Sequence, residues 1–372
     1  MSVLAKNNIG STKSPVALVA PLDWGLGHAT RCIPIIYELL NAGFEVFIAA
    51  EGDQKDLLAL EFPDLTILPL KGYRISYGNK WWITPLKILI QIPKILTAIN
   101  KENRWLRELN KKKHLDIIIS DNRFGLHYPG IYSVFITHQL NIQTPFGELA
   151  NRFLQRLNYR HINKFTCCWV PDFKSETNLG GKLSHPSKLP AIPVQYIGIL
   201  SRIKKRPLPF THKILVIISG TEPQRTIFEN KVLQQLKELG SICMVVLGLP
   251  SLNCEKKQIA NITVYNHLPS RQMEELINQS EIIISRSGYS TVMDLLPLGK
   301  KCIFIPTPGQ TEQEYLAEFL ANKNWCITDK QDQFSIPELL EKTAHLADTT
   351  GIFASEIETL KPAIVSLASR FG

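Results

Sequence analysis

Ile282-Ile-Ile284, Ser285-Arg-Ser-Gly-Tyr-Ser-Thr-Val-Met-Asp294 and Leu295-Leu-Pro-Leu-Gly299 follow one another directly and lead, through two lysines, into Cys302-Ile-Phe-Ile-Pro306. The two apolar runs read as buried strands and the residues between them as a turn and a short helix, which is one repeat of a parallel α/β sheet. Gly288 in the turn lets a backbone approach a ligand closely, and the helix start offers unpaired N–H groups at the positive end of its dipole. Asp294 follows about one turn later. Phosphate at the helix start and a hydroxyl at the carboxylate suit a nucleotide diphosphate. The plain alternative is that Thr291-Val-Met-Asp294 is a capping box whose side chains only satisfy helix N–H groups. Pro297 ends any helix that continues past the site.

The same alternation extends in both directions. Val16–Ala20, Glu45–Ala50, Leu65–Leu70, Leu115–Ser120 and Ser133–Thr137 read as strands, with a helix from Thr30 to Gly43. A second series starts at His212–Ile218, continues through a helix near Gln224–Leu239, and adds strands at Ile242–Leu247, Ile262–Tyr265, Ile282–Ile284 and Cys302–Ile305. Between the series, Ser201-Arg-Ile-Lys-Lys-Arg-Pro-Leu-Pro-Phe210 is basic, proline-rich and without period, as linkers are. The expected fold class is α/β, with two doubly wound Rossmann-like domains facing each other across a cleft. Residues 1–200 would be the N-terminal domain, 201–212 the linker and 213–372 the C-terminal domain, its last helix packing back on the first domain.

With 44% hydrophobic and 20% charged residues in a chain of 372, the composition is that of a globular protein with room for two cores. Met1–Ser14 lacks an apolar stretch of signal-peptide length and no run approaches a membrane span, so a cytoplasmic location is expected. Seven cysteines without a Cys-x-x-Cys pair read as buried reduced thiols. The net charge of +9 is concentrated, because residues 80–113 hold nine basic and two acidic side chains. That points to a local anionic partner. No zinc-finger, ribonucleoprotein or helix-turn-helix signature accompanies it, which excludes the usual nucleic-acid modules.

Ser285–Leu296, Gly299, Phe304-Ile-Pro-Thr-Pro-Gly309 and Gln313 together resemble the C-terminal domain of glycosyltransferase family 28. That family includes the bacterial N-acetylglucosaminyltransferase that makes lipid II and the plant galactolipid synthases. The likeness is strongest over residues 213–325. It implies a GT-B fold and a nucleotide diphosphate sugar, a UDP-sugar by preference, bound by the C-terminal domain. Asp294 stands where the family has a ribose-binding glutamate, one methylene longer. Gly220 and Thr221 fall in the phosphate-contacting loop, with Ser287 and Gly288 in the second. Leu268 sits where a backbone group reads the uracil edge. Gln313 matches a glutamine that contacts the donor sugar, whereas Glu314 replaces the second glutamine of lipid II synthases. Arg286 is either a ligand contact or a structural arginine.

In the N-terminal half, Asp23-Trp-Gly25-Leu-Gly27-His28-Ala-Thr-Arg31 follows the first strand. A dinucleotide fingerprint would need glycine at Thr30 and an acid such as Glu51 after the second strand. The loop instead brings an imidazole to the cleft, and histidine suits a general base because its pKa lies near neutrality. Lone histidines are also common structural residues. The family has Gly-Gly-His here, and the resemblance implies that His28 takes the proton of an acceptor hydroxyl. Asp121 is the reserve base, unless it pairs with Arg123 as a structural ion pair. Gly25, Gly27, Arg123, His138 and Gln139 are the expected acceptor contacts.

No Asp-x-Asp motif occurs. Diphosphate departure is therefore expected to rely on helix N-termini and hydroxyls, without metal or cofactor and with inversion at the anomeric carbon. The segment Trp81–Ile99 places polar groups at 84, 87, 91 and 94 within an apolar remainder. Trp81, Trp82, Lys87 and Lys94 would contact an anionic membrane at the inner face of the cell membrane, where a lipid-linked or amphipathic acceptor resides. The other reading is a buried helix with solvated lysines. Pro93 argues against one straight helix. A nucleotide-sugar 2-epimerase of the same fold, or a non-catalytic subunit that binds nucleotide sugar or recruits to membranes, are the remaining alternatives.

Overall fold

A computed structural model describes residues 14–74, 84–144, 146–249, 254–354 and 359–371. The N-terminal half runs β1 (Val16–Pro21), α1 (Leu26–Asn41), β2 (Glu45–Ala50), α2 (Gly52–Glu61), β3 (Ile67–Pro69), α3 (Thr84–Lys113), β4 (Ile117–Asp121), β5 (Tyr132–Ile136), α4 (Glu148–Ile162), β6 (Cys167–Val170) and β7 (Val194–Tyr196). Its seven strands form one sheet in the order β3-β2-β1-β4-β5-β6-β7, all parallel. Every residue of β1 and β4 is buried, so these strands read as unbroken apolar runs, not as alternation.

The C-terminal half continues with β8 (His212–Ile217), α5 (Gln224–Leu239), β9 (Cys243–Val246), β10 (Lys256–Ile259), β11 (Ile262–Tyr265), α6 (Ser270–Asn278), β12 (Ser280–Ser285), α7 (Tyr289–Leu295), β13 (Lys301–Phe304), α8 (Thr311–Asn322), β14 (Cys326–Thr328), α9 (Ile336–Lys342), α10 (Thr349–Ala354) and α11 (Leu360–Ala368). The second sheet has the order β10-β11-β9-β8-β12-β13-β14, parallel except for the β10–β11 hairpin. Both halves are thus doubly wound, as the strand series imply. The strand order reverses beside β1 in one half and beside β8 in the other. Such switch points are where open α/β sheets bind ligands.

Three local differences from the sequence reading have physical causes. Helix α1 begins at Leu26, because the glycine loop itself supplies the first helical turn after Gly25 at φ +80°. Helix α3 is one element of 30 residues that includes Pro93. The Pro93 carbonyl there accepts a hydrogen bond from Thr97 Oγ1 at 2.8 Å. The capping box at Thr291–Asp294 does not form, because α7 starts at Tyr289 with Gly288 as its N-cap and Thr291 already lies inside the helix.

The segment expected to be a linker lies against α6. Lys204 N donates to Glu274 at 2.8 Å and Arg206 N to Asn278 Oδ1 at 2.9 Å, both acceptors on α6. At the chain's end Leu360, Ala363, Ile364 and Leu367 of α11 join the buried cluster that contains Ile33 and Ile36 of α1. Phe371 meets Phe44 edge-on at 6.3 Å.

Candidate active site

The loops after β1, β4 and β5 converge. His28 stands in the first turn of α1, and its Nδ1 lies 2.9 Å from Oδ2 of Asp121, the last residue of β4. Arg31, one turn further along the same helix face, donates Nε to Asp121 Oδ2 at 2.7 Å and Nη2 to Oδ1. Arg31 Nη2 also lies 2.8 Å from His28 Nδ1. Asp121 is fully buried and ionised: burial pushes its carboxyl up, but Arg31 and His28 outweigh that and hold it at about 2. Nδ1 of His28 thus faces an acceptor, Asp121 Oδ2, and a donor, Arg31 Nη2; Asp121 Oδ1 takes the Nη2 hydrogen, which leaves Nδ1 to carry its own hydrogen and donate to Oδ2. Nε2 then holds the lone pair, and it has no hydrogen-bond partner among the described residues. Burial and the Arg31 charge hold His28 below the ordinary histidine range despite Asp121, which keeps the ring neutral and basic at Nε2.

Arg31 also reaches a second histidine. Its Nη1 lies 3.2 Å from His138 Nδ1. A guanidinium only donates, so His138 Nδ1 accepts and its Nε2–H donates to Glu312 Oε1 at 2.8 Å. The Gln139 side-chain amide donates to the other Glu312 oxygen. Glu312 belongs to the first turn of α8, so this contact joins the two halves. Burial would raise its carboxyl, but His138 and Arg31 bring it below the ordinary range. The His138 ring stacks flat on Tyr289 at 4.1 Å. Tyr289 donates its hydroxyl to Pro171 O at 2.8 Å, and Ser290 donates Oγ to Gly27 O at 2.9 Å. The start of α7, at Tyr289 and Ser290, thus docks on the histidine loops of the first half.

On the C-terminal side, Gly220 adopts φ +111°, a conformation only glycine holds without strain, at the end of β8. A Cβ there would stand 3.7 Å from Thr307 Oγ1. That hydroxyl is buried and has no hydrogen-bond partner among the described residues. Thr221 is half-buried beside it, and a Cβ on Gly288 would meet nothing within 4 Å. Leu268 is buried. Asp294 Oδ1 accepts from Ser201 Oγ of the linker at 2.6 Å, and its carboxyl is raised chiefly by burial. Arg202 donates Nη1 to Ser270 Oγ at 2.9 Å and leaves a buried Nε without a partner.

Several expected contacts lie elsewhere. Arg123 does not pair with Asp121. It is buried behind the β-sheet end, with Nε on Glu102 at 2.8 Å, Nη1 on Pro21 O at 3.0 Å and Nη2 on Lys71 O at 2.6 Å. All three groups are engaged, so it is not an acceptor contact. Asp121, clamped by Arg31, cannot be a base that touches the acceptor; it stands behind His28. Ser287 Oγ donates to Gln313 O at 2.8 Å, and Gln313 braces its own loop through Thr307 N at 2.8 Å and Gln310 Oε1 at 2.6 Å. Glu314 Oε1 accepts from Gly309 N at 2.9 Å and is exposed. Arg286 is structural: it is buried, donates to Ile305 O, Pro306 O and Gln224 O, and covers the Phe228 ring at 4.1 Å. Glu51 pairs with Arg74 at 3.0 Å at the edge of a cavity of about 370 Å³ that also touches Asp23, Gly25, Asp53 and Gln54.

Trp81 and Trp82 lie outside the described residues, as does the side chain of Lys87. Lys94 is exposed and donates Nζ to Arg74 O at 2.5 Å. Among the described residues no helix is long and apolar enough to cross a membrane, and no group of three His, Cys, Asp or Glu side chains is placed to hold a metal ion.

Sequence reasoning missed Arg31, Arg202, Tyr289, Ser290, Thr307 and Glu312. Arg31 was detectable as the i+3 neighbour of His28, and Glu312 as the acid in the first turn before Gln313. Thr307 carries no signal beyond its place at a strand exit.

Comparison with known proteins agrees with this fold. Residues 214–356 match the glycosyltransferase family 28 C-terminal domain. The UDP-N-acetylglucosamine--N-acetylmuramyl-(pentapeptide) pyrophosphoryl-undecaprenol N-acetylglucosamine transferase of Buchnera aphidicola is 26% identical over 271 residues, which cover 70% of this chain and 72% of that protein. Among solved structures, the glycotransferase of kitacinnamycin superposes with a TM-score of 0.65 at 15% identity, over 97% of this chain and 98% of the other. Arabidopsis thaliana UGT89C1 complexed with UDP-L-rhamnose does so with a TM-score of 0.64 at 13% identity, over 97% and 100%. The chain is a glycosyltransferase of the two-sheet GT-B fold, and residues 214–356 form its family 28 C-terminal domain.

Proposed function

We propose that the chain moves a hexosyl group from a UDP-sugar to a hydroxyl of a lipid-linked or amphipathic acceptor, with inversion and without a metal. The observation that carries the reading is the His28–Asp121 pair at 2.9 Å, set at the switch point of one sheet and facing the glycine turns of the other. In this reading Nε2 of His28 removes the acceptor proton while that oxygen attacks the anomeric carbon. The carbon–phosphate-oxygen bond breaks on the opposite face and UDP leaves. Asp121 fixes the tautomer and steadies the imidazolium as it forms, and Arg31 keeps Asp121 ionised.

The donor would lie against the Gly220–Thr221 loop and Gly288. Thr307 Oγ1, Arg202 Nε and the N–H groups at the start of α7 are the available donors for a departing diphosphate. Leu268 would present its backbone to the base, and Asp294 would exchange Ser201 for a ribose hydroxyl. The UDP-N-acetylglucosamine and undecaprenol in the name of the Buchnera relative support a UDP-sugar and a lipid-linked acceptor, and with them action at an anionic membrane surface.

Calorimetric titration with a panel of uridine, thymidine, guanosine and adenosine diphosphate sugars tests the donor. A uridine nucleotide should bind most tightly. Binding of none of them would refute the donor reading.

A further inference from the structure

Helix α4 carries an apolar stripe that the fold leaves uncovered. Its inner face is fastened to the histidine loop: Asn158 Nδ2 donates to Gln139 O at 3.2 Å, Asn151 Oδ1 accepts from Thr144 N at 2.8 Å, and Tyr159 and Ile162 are buried. The outer face shows Leu149 at 82% exposure, Phe153 at 61% and Leu157 at 38%, and Phe146 precedes the helix at 56%. Positions 149, 153 and 157 recur every four residues, so they form one ridge. Arg152, Arg156 and Arg160 are exposed on the same arc, against the single acid Glu148, which pairs with Arg152 at 2.7 Å.

A monomer's surface rarely exposes so many large side chains together, and each left in water forgoes the transfer free energy that burial would give. The arginines specify the cover. A purely apolar stripe would suit a core or a second helix. Apolar side chains interleaved with cations on one helical face instead fit an interface where rings and alkyl groups enter the acyl boundary and guanidinium groups meet lipid phosphate.

We propose that α4 is a docking surface for an anionic lipid bilayer, with Leu149, Phe153 and Leu157 inserted and Arg152, Arg156 and Arg160 at the headgroups. The surface differs from the segment beginning at Trp81, and α4 and α3 pack on the same face of the first sheet, around Phe124. Docking there would hold the His138–Gln139 loop, on the other side of α4, close to the membrane. The proposal draws its biological sense from the lipid-linked acceptor proposed above, but its physical basis is independent of it.

The test is co-sedimentation of the full chain with phosphatidylcholine vesicles and with equimolar phosphatidylcholine–phosphatidylglycerol vesicles, without nucleotide or acceptor. Wild type should bind the anionic vesicles and release them at high salt. Arg152→Glu/Arg156→Glu/Arg160→Glu should weaken that binding at least about tenfold, given the attraction of each cation to an anionic leaflet. Leu149→Ser/Phe153→Ser should weaken it as well, with an unchanged melting temperature because both side chains are exposed. Unaltered vesicle binding by both variants, or no binding by wild type, would overturn the proposal. So would loss of binding only in Trp81→Ala/Trp82→Ala. A change from dimer to monomer in Leu149→Ser/Phe153→Ser without any effect on vesicles would assign the stripe to a second copy of the chain instead. Since no turnover is measured, failure here leaves the transferase reading to the nucleotide titration.

Discussion

Nδ1 of His28 and Oδ2 of Asp121 lie 2.9 Å apart, and one arginine, Arg31, grips the same carboxylate from the helix that carries the histidine. The arrangement separates two roles that the sequence could not. His28 has side-chain surface facing the cleft, at 14%, whereas Asp121 has none. Replacing His28 by Ala should therefore lower turnover by about two to four orders of magnitude while leaving UDP affinity unchanged. Calorimetry beside a UDP-release assay reads both quantities; equal loss of affinity would assign His28 to binding.

Asp121 is equally a structural group, because its removal leaves the Arg31 guanidinium buried and unpaired. Asp121→Ala should cost about 3–5 kcal/mol of stability, measured by urea unfolding. Asp121→Ala/Arg31→Met should recover most of that loss, since no charge is then stranded. A double variant as unstable as the single one would contradict the pairing.

Asp294 and Ser201 distinguish ribose binding from linker bracing. Asp294→Asn should weaken UDP binding by about 1.5–3 kcal/mol, the range for a hydrogen bond to a charged group. Ser201→Ala should leave UDP binding intact. If Asp294 only braces the linker, the two variants will lose similar stability and neither will change UDP affinity.

Thr307 offers a test with opposite signs in the free and bound states. Its hydroxyl is buried and has no partner among the described residues, so Thr307→Val should stabilise the free protein by up to about 1–3 kcal/mol, measured by urea unfolding. The same change should weaken nucleotide-sugar binding. A variant neutral in both would mean that Thr307 does not face the donor.

Burial also pushes the His127 and His267 rings down to about 4. Their unfolded counterparts bind protons near the usual 6.5, so the unfolded chain gains protons first as the medium acidifies. Stability should thus be full above about pH 6.5 and fall as the pH drops toward 4. Denaturant midpoints across that range check it, and a rise in stability on acidification would contradict the assigned burial.

The fold was largely legible because parallel strands buried on both faces leave continuous apolar runs, and Val16–Ala20 and Ile282–Ile284 are such runs. The short edge strands β7, β10 and β14 were not, since three or four residues with mixed burial carry no period, and β6, buried but only four residues long, is too short to show one. Within the site, His28, His138 and Gln139 lay at strand ends that the pattern identifies. Arg123 and Asp121 are two residues apart in sequence yet point to different partners, because Asn122 between them takes a left-handed φ of +57°. Glu312 could not be read as facing His138, as that contact exists only once the two sheets meet.

The most direct measurement of the central claim is UDP release from a panel of UDP-sugars in the presence of EDTA, with and without a bacterial lipid extract as acceptor source. The account predicts release that depends on the extract, survives EDTA and disappears in His28→Ala. Release from no UDP-sugar, or release that requires added manganese, would contradict it.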